Sequence, residues 1–470
     1  MNVAQSGATQ MTITEPARAI PVAHDCDCCV IGGSCSGLFA AVRAARRGLR
    51  VAVIEHQNRF GGTATAGLVN IWHSLYDTTG ERQIVAGLTA EMLDRLERRG
   101  AVTRRRRTDA DAGAFFNPAE LTLELDALIA DLPIRPFLHA RAVATHGDPD
   151  GRIRAVIIED ASGRRAITAR QFIDATGNAE VVHRAGLPTW RHAVLQPPTT
   201  AALFQGIAAM EHADPTFDLG ACVRDPADPD HLERGFLWHS HLPGAEQVSA
   251  VFGTRVHGVD CSDADDLTRA EIAGREQIAR VTRILARRAE RTGELRDPVA
   301  LLGLASHTGV RATRQAVCRH RLAEHDLLRG RDYPDTVAVA TYRVDLHHQG
   351  SGGITFRYLD GREQVIDADG RCQNGSWRGP DDPPPATFYR IPYRSMVPMG
   401  SANLLVAGRA LDADAGAFGA VRVMVCCNQL GEAAGEAAVL ACESDGAVGD
   451  IDPAALRDRL QGGGSALPAD

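Results

Sequence analysis

The sequence predicts an α/β protein built on a parallel sheet, with an antiparallel meander and an inserted α+β region. Three observations predict it. Residues 27–55 run from an apolar stretch through a glycine turn and a small-residue helix to a second apolar stretch. Residues 134–177 hold short apolar runs parted by Asp-Pro-Asp-Gly and Ser-Gly turns, the pattern of a meander. Residues 403–440 return to a strand ending in glycine and a second small-residue helix, after a long stretch of different texture.

Taken in order, residues 1–24 are small and polar and read as a flexible arm without the charged start and apolar core of a signal peptide. Cys28 to Ile31 reads as a buried parallel strand, Gly32 to Gly37 as the turn, and LFAAVRAARRG as a helix with Leu38, Ala41, Val42 and Ala45 on one face. Gly48 closes the helix, and Val51 to Ile54 is the next strand, ending in Glu55. This βαβ unit aims backbone N–H groups and a partial positive charge at a pyrophosphate. Glu55, about 18 residues past Gly37, stands where an acid accepts hydrogen bonds from a ribose diol. An adenine dinucleotide with an unphosphorylated ribose is the expected ligand. The turn Gly32-Gly33-Ser34-Cys35-Ser36-Gly37 departs from G-x-G-x-x-G at Ser34, whose hydroxyl is small enough to face phosphate. Cys35, at the helix start, is where a thiol pKa is lowered.

Downstream, the small-residue segment Gly61, Gly62, Thr63, Ala64, Thr65 suits a close approach to a cofactor. A helix is expected from Gly87 to Arg99, and Arg104 to Arg107 reads as a solvated loop. Asn117 and Pro118 start a helix as N-cap and first residue, with Leu121, Leu125, Leu128 and Ile129 inward. Strands follow near 134–138, 140–145, 153–159 and 165–168, then a short strand 171–175 into Thr176-Gly177. A long Arg- and Glu-rich helix covers 265–291, and a small-residue helix starts near Val421. The expected organisation is an arm (1–24), a nucleotide-binding domain in two pieces (25–189 and 391–445), a substrate domain (190–390), and a C-terminal helix with a flexible tail (446–470).

Composition narrows the chemistry. All 51 basic residues are arginine, which excludes lysine Schiff-base chemistry and leaves anion recognition to arginine, histidine or backbone N–H groups. A net charge of −8 gives no footing for nucleic acid or an anionic membrane. No apolar run approaches the ~20 residues of a membrane span. The cysteines show no paired Cys-x-x-Cys spacing, so no metal centre is expected; they read as small buried hydrophobes of a cytoplasmic protein.

The segments VIGGSCSGLFAAVRAARRG, VIEHQNRFGGTATAGLV, FNPAELTLELDALI, QFIDATGNAEVVHRAGL, IPYRSMVP and NLLVAGRALDADAGAFGAVRVM together resemble the FAD-dependent oxidoreductases related to the glutathione-reductase-type two-domain flavoproteins. The resemblance implies a Rossmann-like FAD-binding domain assembled from discontinuous segments. It puts Gly32 to Gly37 at the pyrophosphate, Glu55 with His56 at the ribose, and Gly61 to Thr65 along the flavin. It puts Ala142 and Val143 at the adenine, and Ala175, Thr176 and Gly177 near the adenosine. Gly408 and Arg409 fall by the diphosphate and ribityl chain, and Gly419, Val421, Arg422, Val423 and Met424 near the isoalloxazine. Asn178 and Asp414-Ala415 depart from the family pattern, the latter where a histidine is common.

For chemistry, the sequence offers His307, Arg311 and Arg314, the two arginines spaced for one helical face and suited to a carboxylate or phosphate. Asp345 and His347 would share one face of a strand, a carboxylate-oriented imidazole, and His348 points oppositely. The catalytic candidates are His347, His348, Arg311 and Arg422, the last adding charge to a helix N-terminus near the flavin. Trp72, His73 and Tyr76 are candidate pocket walls, and Arg390 and Arg394 guard the site or bridge domains. With no second glycine fingerprint and no redox cysteine pair, the expected activity is FAD-dependent dehydrogenation or reduction of a small polar or anionic substrate by hydride transfer. A single-component flavin monooxygenase and a non-catalytic flavin-binding redox subunit are the alternatives; a homo-oligomer is left open.

Overall fold

The computed structural model describes residues 11–105, 113–233, 236–293, 298–350 and 352–468. Part of the expected arm (1–10), Arg106 and Arg107 of the arginine run, and the last two residues of the tail lie outside the described residues.

The parallel sheet forms around the fully apolar runs. Strands β1 (Val22–Ile31) and β2 (Val51–Ile54) pair in parallel across helix α1 (Cys35–Arg46), with Cys28 opposite Val51 and Ile31 opposite Ile54. A buried strand on both faces needs no polar alternation, which is why Cys28, Cys29 and Val30 can all be apolar. Strand β1 starts at Val22 rather than Cys28, so the last residues of the expected arm belong to the sheet. Helix α2 (Gly87–Glu97) and helix α3 (Pro118–Ile129) form as expected, and the Asn117 side chain caps α3 by accepting from Ala119 N. Arg104 ends a short strand and pairs with Asp94 and Glu97 instead of standing free in a loop.

Strand β3 (Ile134–Phe137) corrects the meander: it pairs in parallel with β2 at the sheet edge. The meander is β4 (Arg141–Gly147), β5 (Ile153–Asp160) and β6 (Gly163–Asp174). The two strands expected at 165–168 and 171–175 are one. The first half of β6 pairs with β5, and its last three residues pair in parallel with β15 (Leu404–Val406). Asn403, fully buried, fills the fork: its Nδ2 donates to Ile153 O and Arg170 O, and its Oδ1 accepts from Ile153 N. The sheet order is β3-β2-β1-β6-β5-β4.

Between them lies a four-stranded antiparallel sheet in the order β8 (Trp238–Leu242), β9 (Ala245–Phe252), β7 (Ala202–Gln205) and β10 (Ala300–Leu304). Helix α4 (Ile207–Ala213) and the long helix α5 (Ala264–Thr292) cover it through a separate apolar cluster that includes Phe204, Met210, Ile278 and Leu285. A second antiparallel sheet runs β11 (Val344–His347), β12 (Ile354–Arg357), β13 (Arg362–Ile366) and β14 (Cys372–Ser376). The chain closes with α6 (Ala415–Val421), α7 (Met424–Ser444) and α8 (Pro453–Gly462). No helix among the described residues is long and apolar enough to cross a membrane.

Helices α1 and α7 pack without side chains between them. A Cβ on Gly431 would lie 2.0 Å from Ser36 O, and one on Gly435 2.3 Å from Ala40 O. Both pairs ascend together, so the helices run parallel and their N-termini share one end. Further along, buried Arg43 donates through Nε to Glu432 at 2.8 Å, and the Glu432 carboxylate also accepts from Leu88 N at 3.2 Å in the first turn of α2. The expected flexible tail joins this knot. Gly464 O accepts from Gly87 N, Ser465 Oγ contacts Arg43 and Glu432, and Leu467 is buried. Removing one partner of a buried ion pair costs about 3–5 kcal/mol. Glu432→Gln is therefore expected to lower unfolding free energy by that order in denaturant titration; a midpoint equal to the parent's would show that the knot carries little.

Candidate active site

The cradle begins at the turn after β1. Gly32 takes φ +103°, and a Cβ there would lie 2.4 Å from Ala175 O; at Gly37 a Cβ would meet Gly32 O at 1.8 Å. Backbone therefore comes as close as glycine allows, and the first turn of α1 faces open N–H groups toward the cradle. Glu55, buried, accepts from Gly33 N at 2.7 Å and Gln57 N at 2.8 Å, with His56 Nδ1 at 2.9 Å. Burial pushes the Glu55 carboxyl up, but His56 and these N–H groups outweigh it and hold it below the usual range. Two N–H bonds leave a carboxylate with lone pairs for a ribose diol.

The flavin-side loop runs against the turn, Gly61 N donating to Gly33 O at 2.9 Å and Gly61 and Gly62 taking positive φ. Thr65 Oγ1 donates to Phe60 O, which closes the loop. Ser306 N donates to Ala66 O, so the middle region returns to this loop. The Cys35 thiol contradicts the helix-terminus expectation. It is buried against Gly61 O, and burial pushes it up to about 12. Ala142 enters β4 just after Ala140 N donates to Glu55 O, while Val143 sits at a bulge with its carbonyl accepting from Arg184. Ala175 packs on Gly32 and Gly37, and Gly177 (φ +75°) faces the Arg409 guanidinium, so this stretch borders the glycine turn. Thr176 hydrogen-bonds the buried Asp174 carboxylate.

Gly408 sits where the two helix N-termini meet, a Cβ there lying 3.3 Å from Ser36 Oγ and 3.7 Å from Cys427 Cβ. The small-residue helix expected from near Val421 is α7, and a separate short helix, α6, precedes it. Asp414 caps α6 by accepting from Ala417 N, α6 ends at Val421, Arg422 is its C-cap, and α7 starts at Met424 behind Val423. The Asp414 departure from the family pattern is thus a helix cap. Gly419 lets α6 lie on β11, where a Cβ would be 2.7 Å from Asp345 O.

At that joint Asp345, Arg422 and His347 come together. Asp345 accepts from Arg422 NH2 at 2.9 Å and Tyr342 OH at 3.3 Å, and His347 Nε2 stands 3.1 Å from Asp345 Oδ1. Burial raises the Asp345 carboxyl, yet His347, Arg422 and Arg343 outweigh it and hold it well below the usual range. Burial pushes His347 down to about 3; Asp345 opposes this, and Arg311 and Arg255 reinforce it. The imidazole is neutral at pH 7. Its Nε2 faces Asp345 Oδ1 at ion-pair distance, and Nδ1 is buried with no hydrogen-bond partner among the described residues.

Around it stand several buried guanidiniums that share a single carboxylate. Burial, with Arg422 and Arg255, pushes Arg311 down to about 9, and burial pushes Arg255 down to about 10. Burial also lowers Arg409, which donates to Arg311 O at 3.2 Å. The Nε atoms of Arg255 and Arg422 lack partners among the described residues. Asp345 is the carboxylate that offsets them.

Other expectations separate. Arg311 and Arg314 do not share a helical face, because 309–313 is extended and Arg314 begins a short strand, bonding Ser262 O. Arg311 donates instead to Pro197 O and Thr199 Oγ1. His348 faces away and bonds Thr355 Oγ1 at 2.8 Å. His307 bonds Thr308 O, 6.4 Å ring to ring from His56. Trp72 is core against Phe116, His73 lies 5.3 Å from the Tyr342 ring, and Tyr76 O accepts from Thr341. Arg390 and Arg394 pair with Asp332 and Asp335. Sequence reasoning missed Arg255 and Tyr342. Tyr342, three residues before Asp345, carried a local signal; Arg255 carried none.

The residues fit a large anionic dinucleotide: a glycine cradle that a Cβ would fill, a buried Ser36 Oγ with no partner among the described residues, and uncompensated guanidiniums. The class is a flavoprotein with a dinucleotide-binding α/β fold. The chain belongs to the FAD dependent oxidoreductase family, whose model matches residues 27–460, and its cofactor is FAD. No curated protein matches the chain. Solved structures similar to it include a geranylgeranyl bacteriochlorophyll reductase-like protein from Thermoplasma acidophilum, 12% identical, covering 93% of this chain and 83% of that one at a TM-score of 0.45. PqsL from Pseudomonas aeruginosa, in complex with 2-aminobenzoylacetate, is 14% identical, covering 93% and 91% at 0.41. The p-nitrophenol 4-monooxygenase PnpA from Pseudomonas putida is 14% identical, covering 63% and 70% at 0.38.

Gly37→Ala puts a methyl 1.8 Å from a carbonyl oxygen in the cradle. The purified variant is expected to lack flavin absorbance; a flavin-to-protein ratio equal to the parent's would refute the placement.

Proposed function

We propose that this FAD-dependent oxidoreductase removes a hydride and a proton from a small organic anion, or runs the reverse. The observation that carries this is the buried arginine group around a partnerless imidazole nitrogen at the α6–α7 joint. FAD supplies the two-electron, hydride-accepting chemistry when bound. Arg311, Arg255 and Arg422 would hold the carboxylate or phosphate of the substrate, which returns the counter-charge that burial now denies them. His347 Nδ1 would take the proton, and Asp345 would fix the ring and its tautomer. A cytoplasmic location belongs to the same proposal, supported by eleven cysteines that are all unpaired.

Anaerobic bleaching of the flavin by a small organic acid, without a nicotinamide cofactor, tests the reading. Bleaching that needs NAD(P)H, with oxygen gained by the product, would replace it with monooxygenation. His347→Ala is expected to slow flavin reduction about 10²–10⁴-fold. Since His347 titrates at about 3, kcat/KM of the parent is expected to hold level from pH 8 to pH 5 on this group's account and to fall only as pH approaches that value. An acid limb near pH 6.5 that vanishes in His347→Ala would contradict the assignment.

A further inference from the structure

We propose that Glu211, His239 and His241 form a three-ligand site for a divalent transition metal, best matched by Zn²⁺, on the middle region. His239 and His241 are two apart on β8, so both rings leave the same face of the strand, and α4 brings Glu211 over them. Their Nε2 atoms each stand 3.0 Å from a different oxygen of the one carboxylate. The three donor atoms lie within 4.8 Å of one another. Tetrahedral zinc with bonds of ~2.0–2.1 Å sets its donors about 3.3 Å apart, so small side-chain shifts suffice.

The surroundings are those of a ligand set. His241 Nδ1 is 3.0 Å from Ser249 Oγ, and Ser249 is fully buried on β9, which fixes the ring with its other nitrogen toward Glu211. All three residues are partly exposed, so a metal has an entry path and a fourth position open to water. Two imidazoles and a carboxylate are borderline-hard donors that suit zinc. Ser240, between the ligands, leaves the opposite face and donates to Asn70 Oδ1 at 2.9 Å. One short strand thus joins the metal face to the segment that follows the flavin loop. These residues are shared with none of the flavin cradle, and the proposal stands whatever the substrate is.

The test uses the full-length holoprotein, stripped with a chelator and titrated calorimetrically with Zn²⁺ alone. One saturable equivalent per chain is expected. The double variant His239→Ala/His241→Ala is expected to lose that equivalent, and Ser249→Ala to bind it about tenfold or more weakly. Unchanged flavin absorbance and metal-free melting confirm folding. Should the double variant not fold, Glu211→Gln takes its place. No saturable binding by the parent, or an equivalent retained by the ligand variant, overturns the proposal.

Discussion

The parallel contact of α1 with α7 is the constraint on which the site depends. Gly431 and Gly435 admit the neighbouring backbone at distances no side chain would permit. The close approach aligns two helix dipoles, so their positive ends meet around Gly408 and Ser36. Repulsion between those ends is a cost of folding. Arg43 and Glu432 fasten the helices a turn or two away, with α2 and the C-terminal tail bound to the same carboxylate. The cradle lies in a field that the apolar core around it cannot screen, which suits an anionic dinucleotide.

The arginines extend the same logic. Arg311 and Arg255 from the middle region and Arg422 from the α6–α7 joint share one carboxylate, Asp345, while Arg409 from the segment after β15 is buried beside them and donates to Arg311 O. Unpaired buried charge is costly, and a protein keeps it where a ligand of opposite charge completes the set. On the proposed reading, cofactor and substrate would be linked, each anion removing part of the repulsion felt by the other.

What could be read from the sequence was local. The βαβ unit, the Asn117 cap, the long helix and the Asp345–His347 pair each rest on spacings of a few residues, and backbone periodicity settles them. The parallel partner of β3 and the fork in β6 rest on chain segments far apart, where no short pattern speaks. The short α6 ahead of α7 carried no local signal in the sequence; the Asp414 cap and the Gly419 contact with β11 define it. Cys35 shows a local rule overruled: a helix terminus favours a thiolate, but complete burial against Gly61 outweighs it. The His-x-His of β8 passed unread in the sequence, because Glu211 reaches it only through the packing of α4.

The depressed His347 value bears on how the base would be used. At about 3 the imidazole is a poor proton acceptor in the free enzyme, and Arg311 and Arg255 are among the groups that keep it so. An anion placed on those arginines cancels their field, which raises the imidazole toward its ordinary value. Asp345 then acts with less opposition, since it already pulls His347 upward. The base gains strength when a substrate of the right charge is bound and loses it when the product leaves. On the proposed reading, selectivity for anions would follow from this coupling as much as from the arginine contacts, because a neutral molecule of the same shape would occupy the site without switching on the group that takes its proton.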